Sequence, residues 1–139
     1  MKNKLIPLLL LMFPLTSFAD GESGFYTGLW EYTIDVKMQA IPESELKRVR
    51  QCIKELNDVI GLFKPDPSCS VSHVQADASR LSWKLYCKTS RGTYHGDASL
   101  TGNERAIQGR VELQSVIPGM KNIMSTTYLI SGENKGSCR

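Results

Sequence analysis

From residue 28 to 38 the chain alternates strictly: Trp30, Tyr32, Ile34, Val36 and Met38 are interleaved with Glu31, Thr33, Asp35 and Lys37. A period of two predicts a strand with one buried and one solvated face. A second alternating pattern lies further on. With a turn at Asp77, Ala78 and Ser79, Cys69 faces Cys87, Val71 faces Leu85 and His73 faces Trp83. Parity then places Cys69, Val71, Leu81, Trp83, Leu85 and Cys87 on one side, and Ser70, Ser72, Ser82 and Lys84 on the other. Pattern and pairing agree in this register, so 69–74 and 81–87 are predicted to form a hairpin.

The remaining punctuation is of the same kind. Residues 93–100, 106–116 and 123–131 read as strands, separated by a turn at Gly102 and Asn103 and a loop at Pro118 and Gly119. Residues 54–62 read as a short helix, with Leu56, Val59 and Ile60 on one side and Gly61 as a stop signal. The segment 41–53 carries two signals: Pro42, Glu43, Ser44 and Glu45 could open a helix, whereas Val49, Gln51 and Ile53 alternate. We take it as extended up to Cys52. The expected fold is mainly β: an antiparallel meander of about six or seven strands forming a curved sheet or partly open barrel. Open edges invite aggregation, and the short helix is available to cap the open side.

The first nineteen residues change where this fold must live. Lys2 and Lys4 precede an apolar run from Leu5 to Leu15, and small residues Ser17 and Ala19 follow, as in a cleaved secretory signal. The run is short and interrupted by Pro7 and Pro14, unlike a spanning helix. Cleavage before Asp20 leaves a single exported β-rich domain, 20–139, with no transmembrane segment. All four cysteines lie beyond the cut, which places them in an oxidising compartment. Opposed residues in an antiparallel pair sit about 4.5–5.5 Å apart at Cα, within disulfide reach. Cys69 is therefore predicted to bond Cys87, leaving Cys52 with Cys138.

Charge argues against nucleic acid. Both signal lysines leave with the leader and no acid does, so 17 basic residues fall to 15 against 14 acidic ones. The nearest approach to a basic cluster is Lys47, Arg48 and Arg50, short of the face that phosphate binding needs. Catalytic and metal chemistry are equally thin. The cysteine spacings contain no close pair of the zinc-binding type. His73 is expected beside Trp83, and His95 on a polar strand with Asp97. Glu31 and Asp35 share a wet face, where carboxylates are normally just solvated. No G-x-S-x-G elbow or phosphate-binding glycine loop occurs. Met38, Met120 and Met124 are soft enough for copper(I), but methionine usually fills cores. We expect no catalytic residue, no metal and no cofactor.

Several of these residues together resemble a bacterial family known only as domain of unknown function 3617. They are Gly28-Leu29-Trp30-Glu31, Gln51-Cys52-Ile53, Cys69, Trp83-Lys84 with Cys87, and Gly136-Ser137-Cys138. The order and spacing of tryptophans and cysteines carry the likeness across nearly the whole mature chain. The resemblance implies a small exported protein of Gram-negative bacteria, periplasmic or secreted, and brings no activity and no catalytic residues. The family's closing stretch reads Gly-Arg-hydrophobic-Gly-Pro-Cys, from which Gly132-Glu133-Asn134-Lys135-Gly136-Ser137-Cys138 departs.

The functional expectation is a non-enzymatic periplasmic protein whose curved sheet holds a small apolar ligand against Trp30, Tyr32, Trp83 and Leu85. The alternative is an envelope protein–protein interaction module using a sheet edge or the outer face. An enzyme without a recognisable motif is the third. The exported protein, denatured without reduction, should show the mass of residues 20–139 less four hydrogens; an intact leader or free thiols would contradict the export argument.

Overall fold

The computed structural model describes residues 24–116, 119 and 124–138. The predicted leader, Met120 and the loop residue Pro118 lie outside them. The chain forms β1 (Gly28–Met38), β2 (Glu45–Ile53), α1 (Leu56–Leu62), β3 (Cys69–Ala76), β4 (Arg80–Thr89), β5 (Gly92–Gly102), β6 (Ala106–Val116) and β7 (Met124–Gly136). The strands make one sheet in the order β2-β1-β7-β6-β5-β4-β3, with every neighbouring pair antiparallel. Strands β3 to β7 thus run as an unbroken meander, and the β1–β2 hairpin docks on the free side of β7. The ambiguous segment 41–53 resolves as a strand beginning at Glu45.

The sheet is open, and it is curved. Met38 on β1 and Cys87 on β4 are four strand spacings apart, roughly 19 Å along a flat sheet. Both nevertheless line one depression of ≈ 400 Å³. Curvature gathers the inward residues into a core that includes Trp30, Tyr32, Leu81, Trp83, Leu100 and Ile107. The helix lies over this concave side. It starts beside the end of β2 that pairs with Gly28, and the chain leaves it for Cys69, at the opposite end of the far edge. A helix of 7 residues is too short to be stable alone. It is held by burial of Val59, Ile60 and the following Phe63, whose ring meets Tyr32 edge-on at 5.2 Å. At its start, Asp58 Oδ2 accepts from the backbone N–H groups of Lys54 (2.9 Å) and Glu55 (3.1 Å), satisfying donors that the helix leaves orphaned.

The β3–β4 hairpin follows the expected register only part of the way. Cys69 pairs with Cys87 and Val71 with Leu85, as predicted, but a bulge then shifts the pairing, and Gln75 faces Ser82. His73 sits in this irregularity with φ 52, a left-handed conformation that costs an ordinary residue energy and is accepted at bulges. Its side chain is exposed and lines an outer-face depression that Trp83 also borders. The turn is closed by Asp77, whose Oδ1 accepts from the backbone N–H groups of Ser79 (2.9 Å) and Arg80 (2.8 Å).

Strand β7 runs five residues beyond the predicted 131. The polar stretch Glu133–Gly136 is a strand because its backbone pairs with the start of β1 and because Asn134 is pinned there: its Nδ2 donates to the Glu104 carbonyl at 2.8 Å. Gly132 has a steric role. A Cβ at that position would lie 2.7 Å from the ring of Tyr32, and Trp30 and Tyr32 stack at 5.9 Å beside it.

Both predicted disulfides are present, Cys52–Cys138 and Cys69–Cys87. The second staples the far edge, β3 to β4. The first acts across a strand: Cys52 pairs with Leu29 on β1, and Leu29 pairs with Gly136 on β7. Its closure fastens edge strand β2 over β1 to the end of β7. Gly132→Ala should destabilise the fold by about 1–3 kcal/mol through overpacking, and Cys52→Ser/Cys138→Ser by about 2–5 kcal/mol. Urea denaturation without reductant measures both; an unchanged midpoint would contradict the packing at Gly132 or the role of the bridge.

Candidate functional site

The concave face divides into a packed half and an open half. Trp30, Tyr32, Trp83 and Leu85, the expected ligand-facing residues, all belong to the buried core, with exposures of 0%, 0%, 1% and 2%. Trp30, Tyr32 and Leu85 line none of the depressions described here, and Trp83 borders only a shallow one on the outer face. Phe25 and Tyr26 are buried with the same cluster.

Toward the other end of the strands the cover is less complete: Tyr94 and Tyr128 are only partly buried and Met38 is exposed. Three depressions open there and share walls. The first, of ≈ 400 Å³, includes Met38, Pro65, Tyr94, Leu113 and Tyr128. A second, of ≈ 240 Å³, lies between α1 and the β1–β2 hairpin, and shares Pro65 and Tyr128 with the first. A third, of ≈ 360 Å³, runs past Met38 and Ile41 and shares Val36 with the second. Adjoining one another through these residues, they make up the cleft. Its position follows from the topology: α1 covers the packed half, and the chain segment after it, carrying Pro65, forms a rim over the open half.

The depression beside α1 is mostly apolar, whereas the ≈ 400 Å³ depression mixes Met38, Tyr94 and Leu113 with Asp66, Thr89, Arg91 and Thr126. Burial is the main cause that raises the Tyr128 hydroxyl above the ordinary tyrosine range, with Glu45 and Tyr94 adding to it. In the packed half, burial alone pushes Tyr32 well above that range. Its hydroxyl, together with Trp30 Nε1 and Trp83 Nε1, has no hydrogen-bond partner among the described residues. Such groups carry a desolvation cost of about 1–3 kcal/mol each.

The other residues singled out from the sequence lie elsewhere. Glu31 accepts from Arg50 Nη2 at 2.9 Å. That hydrogen bond, with Lys135 and Arg48 nearby, holds its carboxyl below the usual range. Asp35 lies 3.8 Å from Lys37. These are ion pairs of the outer face. His95 and Asp97 share that face, and the ring of His73 lies 3.1 Å from the neighbouring Ser72 hydroxyl. Among the described residues no group of three or more His, Cys, Asp or Glu could hold a metal ion. Met38 lines the cleft, and Met124 begins β7.

Sequence reasoning missed Tyr94, Leu113 and Tyr128. Parity identifies each as inward-facing, but alternation does not distinguish an inward residue that meets a packed neighbour from one that meets space. The Pro65–Pro67 stretch was legible as a rigid loop, and its position over the sheet was not.

A curved, open, seven-stranded antiparallel sheet with a covering helix and two disulfides defines the class: a small β-rich, disulfide-bonded protein with a concave cleft. The chain matches over residues 25–138 the model of the family described as protein of unknown function DUF3617, and it belongs to that family. No curated protein and no solved structure matches it. Among the described residues no helix is long and apolar enough to cross a membrane.

The raised Tyr32 pKa has a consequence for stability. A neutral hydroxyl favoured by the fold contributes stability that is full below the unfolded-state value of about 10 and is lost as pH rises through the higher folded value. Thermal midpoints should therefore fall above about pH 10, less steeply in Tyr32→Phe. Near neutrality that variant should lose no more than about 1 kcal/mol, since the hydroxyl it removes makes no bond. Identical alkaline limbs in both proteins would contradict the burial of this group.

Proposed function

We propose that the protein is exported, resides in the periplasm after loss of residues 1–19, and acts as a binding module without catalytic activity, holding a small apolar ligand in the open half of its concave face. The observation that carries this reading is the contrast between the two halves of one face. Where Trp30, Tyr32, Trp83 and Leu85 meet, inward residues are buried to completion. Where Met38, Tyr94 and Tyr128 lie, inward positions of the same face are only partly covered and border open space. In this reading the four core residues are the rigid floor behind the cleft, and Phe63 connects the two: it contacts Tyr32 on one side and lines the cleft on the other. Two disulfides suit the oxidising compartment the reading requires.

A specific contrast between the sheet edges favours a second reading, an envelope interaction module. Strand β2 carries Glu45, Lys47, Arg48 and Arg50, charges that discourage strand addition. Strand β3 carries no charged residue, and the His73 bulge interrupts only its middle. A partner's extended segment could pair with β3 by β-augmentation.

Native mass spectrometry of protein purified from a periplasmic extract separates the two. A reproducible excess mass, lost on denaturation, is expected. Val49→Trp, which places an indole in the cleft from a half-buried position on β2, should abolish it while shifting the thermal midpoint by no more than about 5 °C. A bare monomer mass, with nothing in a lipid extract, would count against the ligand and for the edge.

A further inference from the structure

Charge is unevenly placed in the cleft: Asp66 and Arg91 line the first depression and Glu43 and Glu45 the third, whereas the second holds cations alone among its described charged lining residues. In the depression between α1 and the β1–β2 hairpin the walls are made by Ile34, Val36, Val49, Leu62, Phe63 and Val111, and the only charged lining residues are Lys47 and Lys64. Lys47 lies 3.8 Å from Glu45 on its own strand. Lys64 is half-buried, yet no carboxylate among the described residues comes within ion-pair distance of it. A cation withdrawn partly from water over an apolar wall loses solvation that an opposite charge would restore.

The shape adds a second condition. At ≈ 240 Å³ this slot is smaller than the roughly 300–1,000 Å³ of a typical small-molecule pocket, and it adjoins the ≈ 400 Å³ depression, with which it shares Pro65 and Tyr128. A narrow apolar slot accommodates a flexible chain better than a fused ring.

We infer that the cleft takes up a single-chain anionic amphiphile as a monomer, its hydrocarbon tail along the slot and its carboxylate or phosphate against Lys64 and Lys47. This inference rests on the ligand-binding reading above and adds the headgroup to it.

Three ligands of equal chain length test it: dodecanoate, dodecanol and dodecyltrimethylammonium, each titrated below its micelle concentration into the full mature protein by calorimetry. Dodecanoate should bind about three- to tenfold more tightly than dodecanol, with the cation weakest. The preference should shrink as salt is raised, and Lys64→Gln and Lys47→Gln should each bring the ratio toward one, with circular dichroism checking that each variant is folded. Equal affinities for all three, or a preference for the cation, would overturn the headgroup assignment and leave the apolar cleft standing. Binding of none would overturn both. Attachment to phosphatidylglycerol vesicles without uptake of monomeric dodecanoate would overturn the inference in favour of a surface contact.

Discussion

A single sheet has two faces, and among the described residues this one has a helix of 7 residues and no second sheet with which to cover either. Every other feature answers that shortage. Curvature lets the inward residues of distant strands meet one another, so that β1 and β4 share walls although three strands lie between them. Absence of a side chain at Gly132 allows the rings of Trp30 and Tyr32 to occupy the space this creates. The helix is then needed over only part of the concavity, and it is placed where those rings are, with Phe63 against Tyr32.

The cleft is the remainder of the same arrangement. Burying the whole concave face would require a longer helix or bulkier residues on β5, β6 and β7. Instead β7 offers Thr126 and Tyr128 there, and the rim is made by the loop that follows α1. A dry, heavily aromatic half gives the fold its stability, and the half left open can be lined for something else without disturbing it. That division explains why the aromatic strip, the obvious candidate surface in the sequence, is inaccessible, while less conspicuous residues face the open space.

Much of this architecture was legible. Alternation in β1 and in the β3–β4 hairpin specified both faces, because a slip of one residue would have exchanged them. The opposition of Cys69 and Cys87 followed from that register, and the second bridge followed from the first. The failures are instructive in physical terms. The His73 bulge is invisible to parity because an inserted residue changes the pairing without changing the composition. The end of β7 looks polar because its pairing is set by backbone and by Asn134 rather than by burial. The cleft depends on curvature and on where a loop passes, neither of which periodicity encodes.

In a chain exported as proposed, the two bridges would also close in a set order. Cys69 and Cys87 are separated by 18 positions and sit opposite one another in a hairpin, whereas Cys52 and Cys138 are 86 positions apart. For a chain threaded into an oxidising compartment from its amino end, the hairpin can be stapled as soon as residue 87 has emerged. Strand β1, which pairs with β7 along most of its length, must wait for the end of the meander before it gains its second neighbour. Until then the alternating face of Trp30, Tyr32, Ile34 and Val36 is uncovered. A nascent chain of this kind is therefore most exposed to misassociation in its earliest segment and for longest there, and the bond to Cys138 marks the close of that interval.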